Sequence, residues 1–345
     1  MYINARDFMN AKLSLLTLLL SAASLCQAEY YEYRAGDTVV GEMAKTYARA
    51  DQTLPDIARI HDIGFYDIKQ ANPKVDTWMP GEKTEVVLPK RFVLPVAPQT
   101  GIVVNVPEMR LYYYPAGQKG EVRQVYTYPI GIGREGWATP YITTKIAQKK
   151  KDPAWYPPES IRAEHAREGH PLPRVVAPGP ENPLGAFAMR LGLPSYLIHG
   201  TNKPYGVGMR VSSGCIRLYP EDIEALFAMV PVSTPVRIVN QPYKIGTLNG
   251  EIFLEASEYL EEDIEQFEGN LTSVVKMLVS VSNEYKYDVN WELAQHLISV
   301  RDSIPAPVGK VLDEPLLEYT AADKARRSQD NTTPGAATDE PVVQQ

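Results

Sequence analysis

The sequence predicts a mainly β protein of several parts: a β-rich central domain, a small α+β module in front of it and a helical accessory region behind. Three observations predict this. Between residues 99 and 240 the chain carries β-branched and aromatic runs split by turn residues, such as Ile102-Val103-Val104 and Leu111-Tyr112-Tyr113-Tyr114 around Pro107-Glu108. Between residues 29 and 93 two short helical patterns lie between strand-like runs. From residue 241 the chain becomes Glu-rich, with apolar residues at helical spacing.

Taken in order, residues 1–28 come first. Arg6 and Lys12 precede an apolar run over residues 13–20, and small residues lead to Cys26-Gln27-Ala28. This reads as a secretory signal cleaved after Ala28. The apolar run is shorter than the roughly 20 residues that a spanning helix needs, so the mature protein is expected to have no transmembrane segment.

In the module at residues 29–93, Tyr47 to Asp51 suggests a strand that feeds a small helix through Thr53-Leu54 and Ile57-Ala58. A second helix runs from Gly64 to Asn72-Pro73, and Pro80-Gly81 turns the chain into a last strand at residues 84–89. Strand, helix, helix, strand in about 45 residues resembles a LysM module, which implies affinity for cell-wall glycan. The sequence departs from that pattern at Asp51-Gln52, where the family usually carries Gly-Asp.

A Pro-marked linker at residues 94–98 opens the central domain. Its first runs predict a hairpin turning at Pro107-Glu108, and residues 122–130 alternate in the same way before Gly131-Ile132-Gly133. Residues 149–193 are dense in Pro and Gly with little apolar period, which predicts long surface loops of the kind that shape a substrate groove. Tyr196-Leu197-Ile198-His199 and residues 235–239 read as strands, and residues 222–229 as the one clear helix of the domain. Residues 241–320 are assigned to a helical accessory domain. Residues 321–345, rich in Asp, Gln, Thr and Pro, hold too little apolar surface to fold.

Charge excludes one class of partner. The formal net charge of the 345 residues is −7, and losing Arg6, Asp7 and Lys12 with the leader makes it −8. No basic run remains to grip phosphates, so nucleic acid is not expected as a partner.

Cysteine usage is more informative. The chain holds two cysteines, and only Cys215 survives cleavage after Ala28, alone in a compartment that oxidises thiols. An unpaired thiol there is either a small buried hydrophobe or a reactive group. His199 lies 16 positions upstream at the end of an apolar strand, and Cys215 follows the turn Ser212-Ser213-Gly214. An imidazole that takes the thiol proton generates the attacking form, so the pair suffices for acyl transfer. Gly214 allows close backbone approach, and the amides of Ser213, Gly214 and Cys215 are candidates for an oxyanion hole. No Asp or Asn stands beside His199, which makes the Gly200 carbonyl the candidate for holding its tautomer. His165 and His170 lie five apart without a supporting Cys or carboxylate motif, so no metal site is assigned.

The segment His199-Gly200-Thr201 followed by Ser212-Ser213-Gly214-Cys215-Ile216-Arg217 resembles the signature of the YkuD-type L,D-transpeptidases. With the LysM-like module in front, the chain is most similar to their ErfK/YbiS-like subgroup. The resemblance implies a YkuD-like β-sandwich for residues 99–240, a periplasmic location, and peptidoglycan peptide stems and glycan as partners. It implies a Cys215 thioester with the diaminopimelate carbonyl of a tetrapeptide stem, with D-Ala released and no cofactor or metal required. The acceptor is then the C-terminal Lys of an outer-membrane lipoprotein or a second diaminopimelate, giving a 3-3 crosslink. Arg217 stands where the family carries Asn or Arg and is the candidate for pairing with a stem carboxylate. Ser213 replaces a second His found in many members. Two alternatives stay open: a non-catalytic LysM-type peptidoglycan-binding protein, in which Cys215 is inert, and an L,D-carboxypeptidase, in which water is the acceptor.

Overall fold

A computed structural model describes residues 29–269, 272–281 and 285–315. The expected signal at residues 1–28 and the tail at 321–345 lie outside these, as do residues 316–320 of the accessory region. Among the described residues no helix is long and apolar enough to cross a membrane.

The centre of the molecule is a nine-stranded sheet in the order β1-β6-β5-β4-β13-β8-β9-β10-β12. These strands are β1 (Tyr30–Arg34), β4 (Gly101–Asn105), β5 (Arg110–Tyr114), β6 (Val122–Pro129), β8 (Thr143–Lys151), β9 (Phe187–Leu191), β10 (Leu197–His199), β12 (Ile216–Arg217) and β13 (Pro235–Val239). Strands β4 and β5 form the hairpin expected around Pro107-Glu108. Every residue of β4 and β5 is buried. Ile102, Val104, Leu111 and Tyr113 belong to the main core, while Val103, Tyr112 and Tyr114 pack on the opposite face with Val40, Phe92 and Leu94. Two buried faces explain why these runs do not alternate with polar residues.

The sheet folds back on itself. Strands β6 and β12 stand seven places apart in the order and would be over about 30 Å apart if it were flat, at about 4.8 Å per strand. Yet Gly131, just past β6, exchanges two backbone hydrogen bonds with Arg217 of β12, at 2.8 and 2.9 Å. A short parallel pair, β7 (Ile132–Gly133) with β11 (Arg210–Ser212), continues this closure. Helix Pro220–Met229, opened by Pro at its first turn, covers the core with Ile223 and Leu226.

The N-terminal module has the order strand, helix, helix, strand, but its first strand lies earlier than expected. It is β2 (Val39–Tyr47), paired over nine positions with β3 (Glu85–Val93), and residues 48–53 form the turn beyond it. The expected boundary at residue 29 also needs correction, because β1 pairs with β6 and so belongs to the large sheet. Helix Leu54–Ile60 starts at a capping box, in which Thr53 and Asp56 each accept the other's backbone N–H. The module is held to the large sheet's domain by a bidentate Arg59–Glu221 pair at 2.7 and 2.9 Å. It also makes a 3.1 Å bond from the Phe65 N–H to the Val207 carbonyl. At that contact Gly208, at φ +79°, packs so closely on Gly64 and Phe65 that a Cβ would lie 2.2 Å from the Phe65 nitrogen.

The expected helical accessory region is instead an α/β unit. Four strands, β14 (Tyr243–Leu248), β15 (Glu251–Ala256), β16 (Tyr285–Val289) and β17 (Ala306–Pro315), pair in the order β14-β15-β17-β16. Helices Thr272–Val281 and Trp291–Val300 accompany them, and buried residues of both helices share a core with β14 and β15. The hairpin β14–β15 turns on Asn249-Gly250, at φ +51° and +76°, the residue pair that a two-residue hairpin loop favours. Lys244, fully buried, joins this unit to the rest of the chain. Its ammonium lies 2.7 Å from Glu108, 2.8 Å from Glu255 and 2.6 Å from the Val93 carbonyl.

Candidate active site

Strand β10 runs parallel to β12 with Ile198 opposite Ile216 and His199 opposite Arg217. Alternate residues of a strand share a face, so His199, Arg217 and Cys215 lie on one side of the sheet while Ile198 and Ile216 enter the core on the other. Sixteen positions of chain are thereby closed into an adjacent pair of strands. Both His199 and Cys215 line one cavity of about 720 Å³, together with Ser213 and Arg217.

The imidazole of His199 is buried, and its Nδ1 lies 2.6 Å from the Gly200 carbonyl. A carbonyl only accepts, so Nδ1 carries the proton and Nε2 keeps its lone pair. Burial and the neighbouring Arg217 charge hold the His199 pKa down to about 3, against the milder opposing pull of the Gly200 and Leu184 carbonyls. The ring is therefore neutral at physiological pH.

Cys215 is half-buried, and its thiol donates to the Ser195 carbonyl at 3.5 Å. Burial pushes the thiol pKa up, partly offset by the Leu197 backbone N–H and by Arg217. Both directions favour a neutral thiol and a neutral imidazole on the same cavity wall at rest, and not a standing ion pair. Arg217 is itself mostly buried, its Nε has no hydrogen-bond partner among the described residues, and burial lowers its pKa.

The turn before Cys215 differs from expectation in one donor. The Gly214 N–H is taken up by Ser212 Oγ at 3.2 Å, and the Ser212 hydroxyl donates to the Cys215 carbonyl at 2.5 Å. That bond engages the Gly214 N–H, whereas the amides of Ser213 and Cys215 stay as candidates for an oxyanion hole. Gly214 adopts φ +96°, and a Cβ there would meet Tyr196 Cε1 at 3.0 Å. Thr139, which donates to the Gly214 carbonyl at 3.2 Å, ties the turn to the loop after β7.

The stretch expected as loops at residues 149–193 contains helix Glu159–Arg167, which has no buried residue and therefore no apolar period to betray it. The helix supplies Ser160, Ile161, Glu164 and His165 to the cavity lining, so His165 is a cavity residue, whereas His170 is not. Glu164 pairs with Arg134 at 2.6 Å. The sequence places Ser212 in the turn and Tyr196 in the strand before His199 but does not foretell that their side chains brace the turn at Gly214. Among the described residues no group of three or more His, Cys, Asp or Glu is placed to hold a metal ion.

A thiol and a neutral imidazole on one sheet face, at the wall of a cavity, are the groups that an enzyme of the cysteine acyltransferase kind requires. The comparisons then fix the family. Residues 99–238 match the model of the YkuD L,D-transpeptidase catalytic domain. The chain is 39% identical over 280 residues to the probable L,D-transpeptidase YcfS of Escherichia coli K12, covering 79% of this chain and 86% of that one. It is 40% identical over 257 residues to the probable L,D-transpeptidase YbiS of the same strain, covering 74% and 82%. It is also 41% identical over 239 residues to the probable L,D-transpeptidase ErfK/SrfK of Salmonella typhimurium, covering 68% and 76%. The chain belongs to the L,D-transpeptidase family.

Proposed function

We propose that the protein is a periplasmic L,D-transpeptidase that acts on peptidoglycan peptide stems through a Cys215 thioester. The observation that carries this reading is the placement of the one cysteine outside residues 1–28 on the same sheet face as His199, beside a cavity large enough for a peptide. Sulfur attacks the carbonyl that joins diaminopimelate to the terminal D-Ala of a tetrapeptide stem. Because the resting pair is neutral, the thiol proton passes to His199 Nε2 as the carbon–sulfur bond forms. The Gly200 carbonyl keeps Nδ1 protonated, which holds Nε2 as the base. The amides of Ser213 and Cys215 stabilise the oxyanion, and the imidazolium then protonates the departing D-Ala nitrogen. An amine next attacks the thioester, gives up its proton to His199 and restores the thiol. Arg217, next to both groups, holds a stem carboxylate.

The acceptor is the C-terminal Lys of an outer-membrane lipoprotein or a second diaminopimelate. The N-terminal βααβ module is read as a LysM-like holder of glycan. No cofactor enters any step. Incubating the protein with disaccharide tetrapeptide, with and without lipoprotein, and weighing the products tests this reading. A crosslinked product lost in Cys215→Ala supports it, free tripeptide alone marks a carboxypeptidase, and glycan binding without any turnover marks a binding protein.

A further inference from the structure

The cavity wall that bears Cys215 extends over four strands, and their register places its side chains in two rows. Arg190 of β9 pairs with Leu197 of β10 on one side and Gln148 of β8 on the other. Cys215 directly precedes Ile216 and receives the Leu197 N–H, so Cys215, Leu197, Arg190 and Gln148 form one row. Arg217, His199, Ala188 and Lys150 form the second. Every one of these eight residues lines the cavity, whereas the intervening Met189, Ile198 and Ile216 are core. Arg190 therefore sits two strand spacings, roughly 10 Å, from Cys215. Lys150 is the diagonal neighbour of Arg190, close enough for two long side chains to meet on one group. The small Ala188 between His199 and Lys150 keeps that stretch open.

The charge of this wall is unlike that of the chain. The protein has a formal net charge of −7, yet the cavity is lined by Arg134, Lys150, Arg190 and Arg217 against Glu164 and Glu168. Arg134 is neutralised by Glu164. Arg190 and Lys150 are exposed and have no ion-pair partner among the described residues, so their charge is available to a ligand. Two such cations in an acidic protein, on the face that carries the nucleophile, point to an anionic substrate group held away from the reacting atom.

We propose that Arg190 and Lys150 form an anion subsite for a side-chain carboxylate of the donor stem, roughly 10 Å from the carbonyl that Cys215 attacks. This rests on the transpeptidase reading above and adds a specificity device to it. Donors with free side-chain carboxylates are selected over amidated ones, because the guanidinium fork binds a carboxylate through two charge-assisted bonds and an amide through weaker ones. Arg217, adjacent to Cys215, serves the end of the stem that reacts, and the Arg190–Lys150 pair serves the end that does not.

The test is calorimetric titration of the full-length Cys215→Ala protein with disaccharide tetrapeptide and with the same stem amidated at its side-chain carboxylates, the terminal D-Ala carboxylate being left free. Amidation is expected to weaken binding about tenfold or more. In Arg190→Gln on the same background the two stems should bind within about twofold of each other, Lys150→Gln should lose part of the discrimination, and Arg190→Lys should regain most of it. A merely structural role for Arg190 would not follow charge in this way. An amidation penalty left intact by both Arg190→Gln and Lys150→Gln overturns the subsite while the transpeptidase reading stands. A protein that turns over neither stem, and whose Cys215→Ala form binds neither, overturns that reading and the subsite with it.

Discussion

The two ends of the nine-stranded sheet are built to different rules. Around β4 and β5 both faces are covered, one by the main core and the other by residues of the paired strands β2 and β3, and the strands carry Ile102-Val103-Val104 and Leu111-Tyr112-Tyr113-Tyr114 without a break. Around β8, β9, β10 and β12 one face packs on the core and the other lines the cavity. There Met189, Ile198 and Ile216 go inward, while Arg190, His199, Cys215 and Arg217 face the cavity. The difference teaches that a sheet can spare side chains for a cavity where only one of its faces packs on the core, since the buried alternate residues fix the cavity-facing ones in place.

Substitutions at the two ends should therefore fail in different ways. Cys215→Ala should lower transfer more than about 1,000-fold, equivalent to over about 4 kcal/mol of barrier, with an unchanged thermal melt. Leu111→Ala, at the doubly covered end, should do the reverse. It leaves a cavity and costs about 2–5 kcal/mol in denaturant unfolding, while the molecules that remain folded keep their turnover.

A pH series sharpens the contrast. The His199 pKa is about 3 in the folded protein and near 6.5 in the unfolded chain, so between those values only the unfolded chain binds the proton. Stability should fall as pH drops from 6.5 towards 3, by an amount on the order of a few kcal/mol. His199→Gln should flatten that slope, whereas no such change is expected from Leu111→Ala. Gly214→Ala meets a left-handed backbone and the Tyr196 ring together. It should cost about 1–3 kcal/mol of stability and reduce transfer well beyond what that loss explains, because the turn carries Cys215. The smallest effect is expected at Arg190→Gln, with under about 0.5 kcal/mol in stability, since its side chain lies on the open face.

How much of this was legible in the sequence follows from where each signal resides. The catalytic candidates were readable because Cys215 is alone after residue 28 and His199 ends an apolar strand, both properties of short segments. The β4–β5 hairpin was readable from Pro107-Glu108 between apolar runs. Helix Glu159–Arg167 was not, because a helix that buries nothing has no periodicity to detect. The sheet of the C-terminal unit was not, although Asn249-Gly250 marks its first hairpin, since the Glu-rich helical pattern around it outweighed the signals of four strands scattered over residues 243–315. The convergence of Lys150 and Arg190 with Cys215 depends on register between segments up to 65 positions apart. Spacing along one chain carries no record of such register.

The central claim is that Cys215, unionised at rest, becomes acylated by a stem with its proton passing to His199. Intact-protein mass spectrometry after rapid mixing with disaccharide tetrapeptide measures it directly. The account predicts an adduct equal to the stem less its terminal D-Ala, mapped to the peptide containing Cys215 and sharply reduced in His199→Gln. A stem that is consumed with no adduct in the parent, and at the same rate in Cys215→Ala, would contradict it.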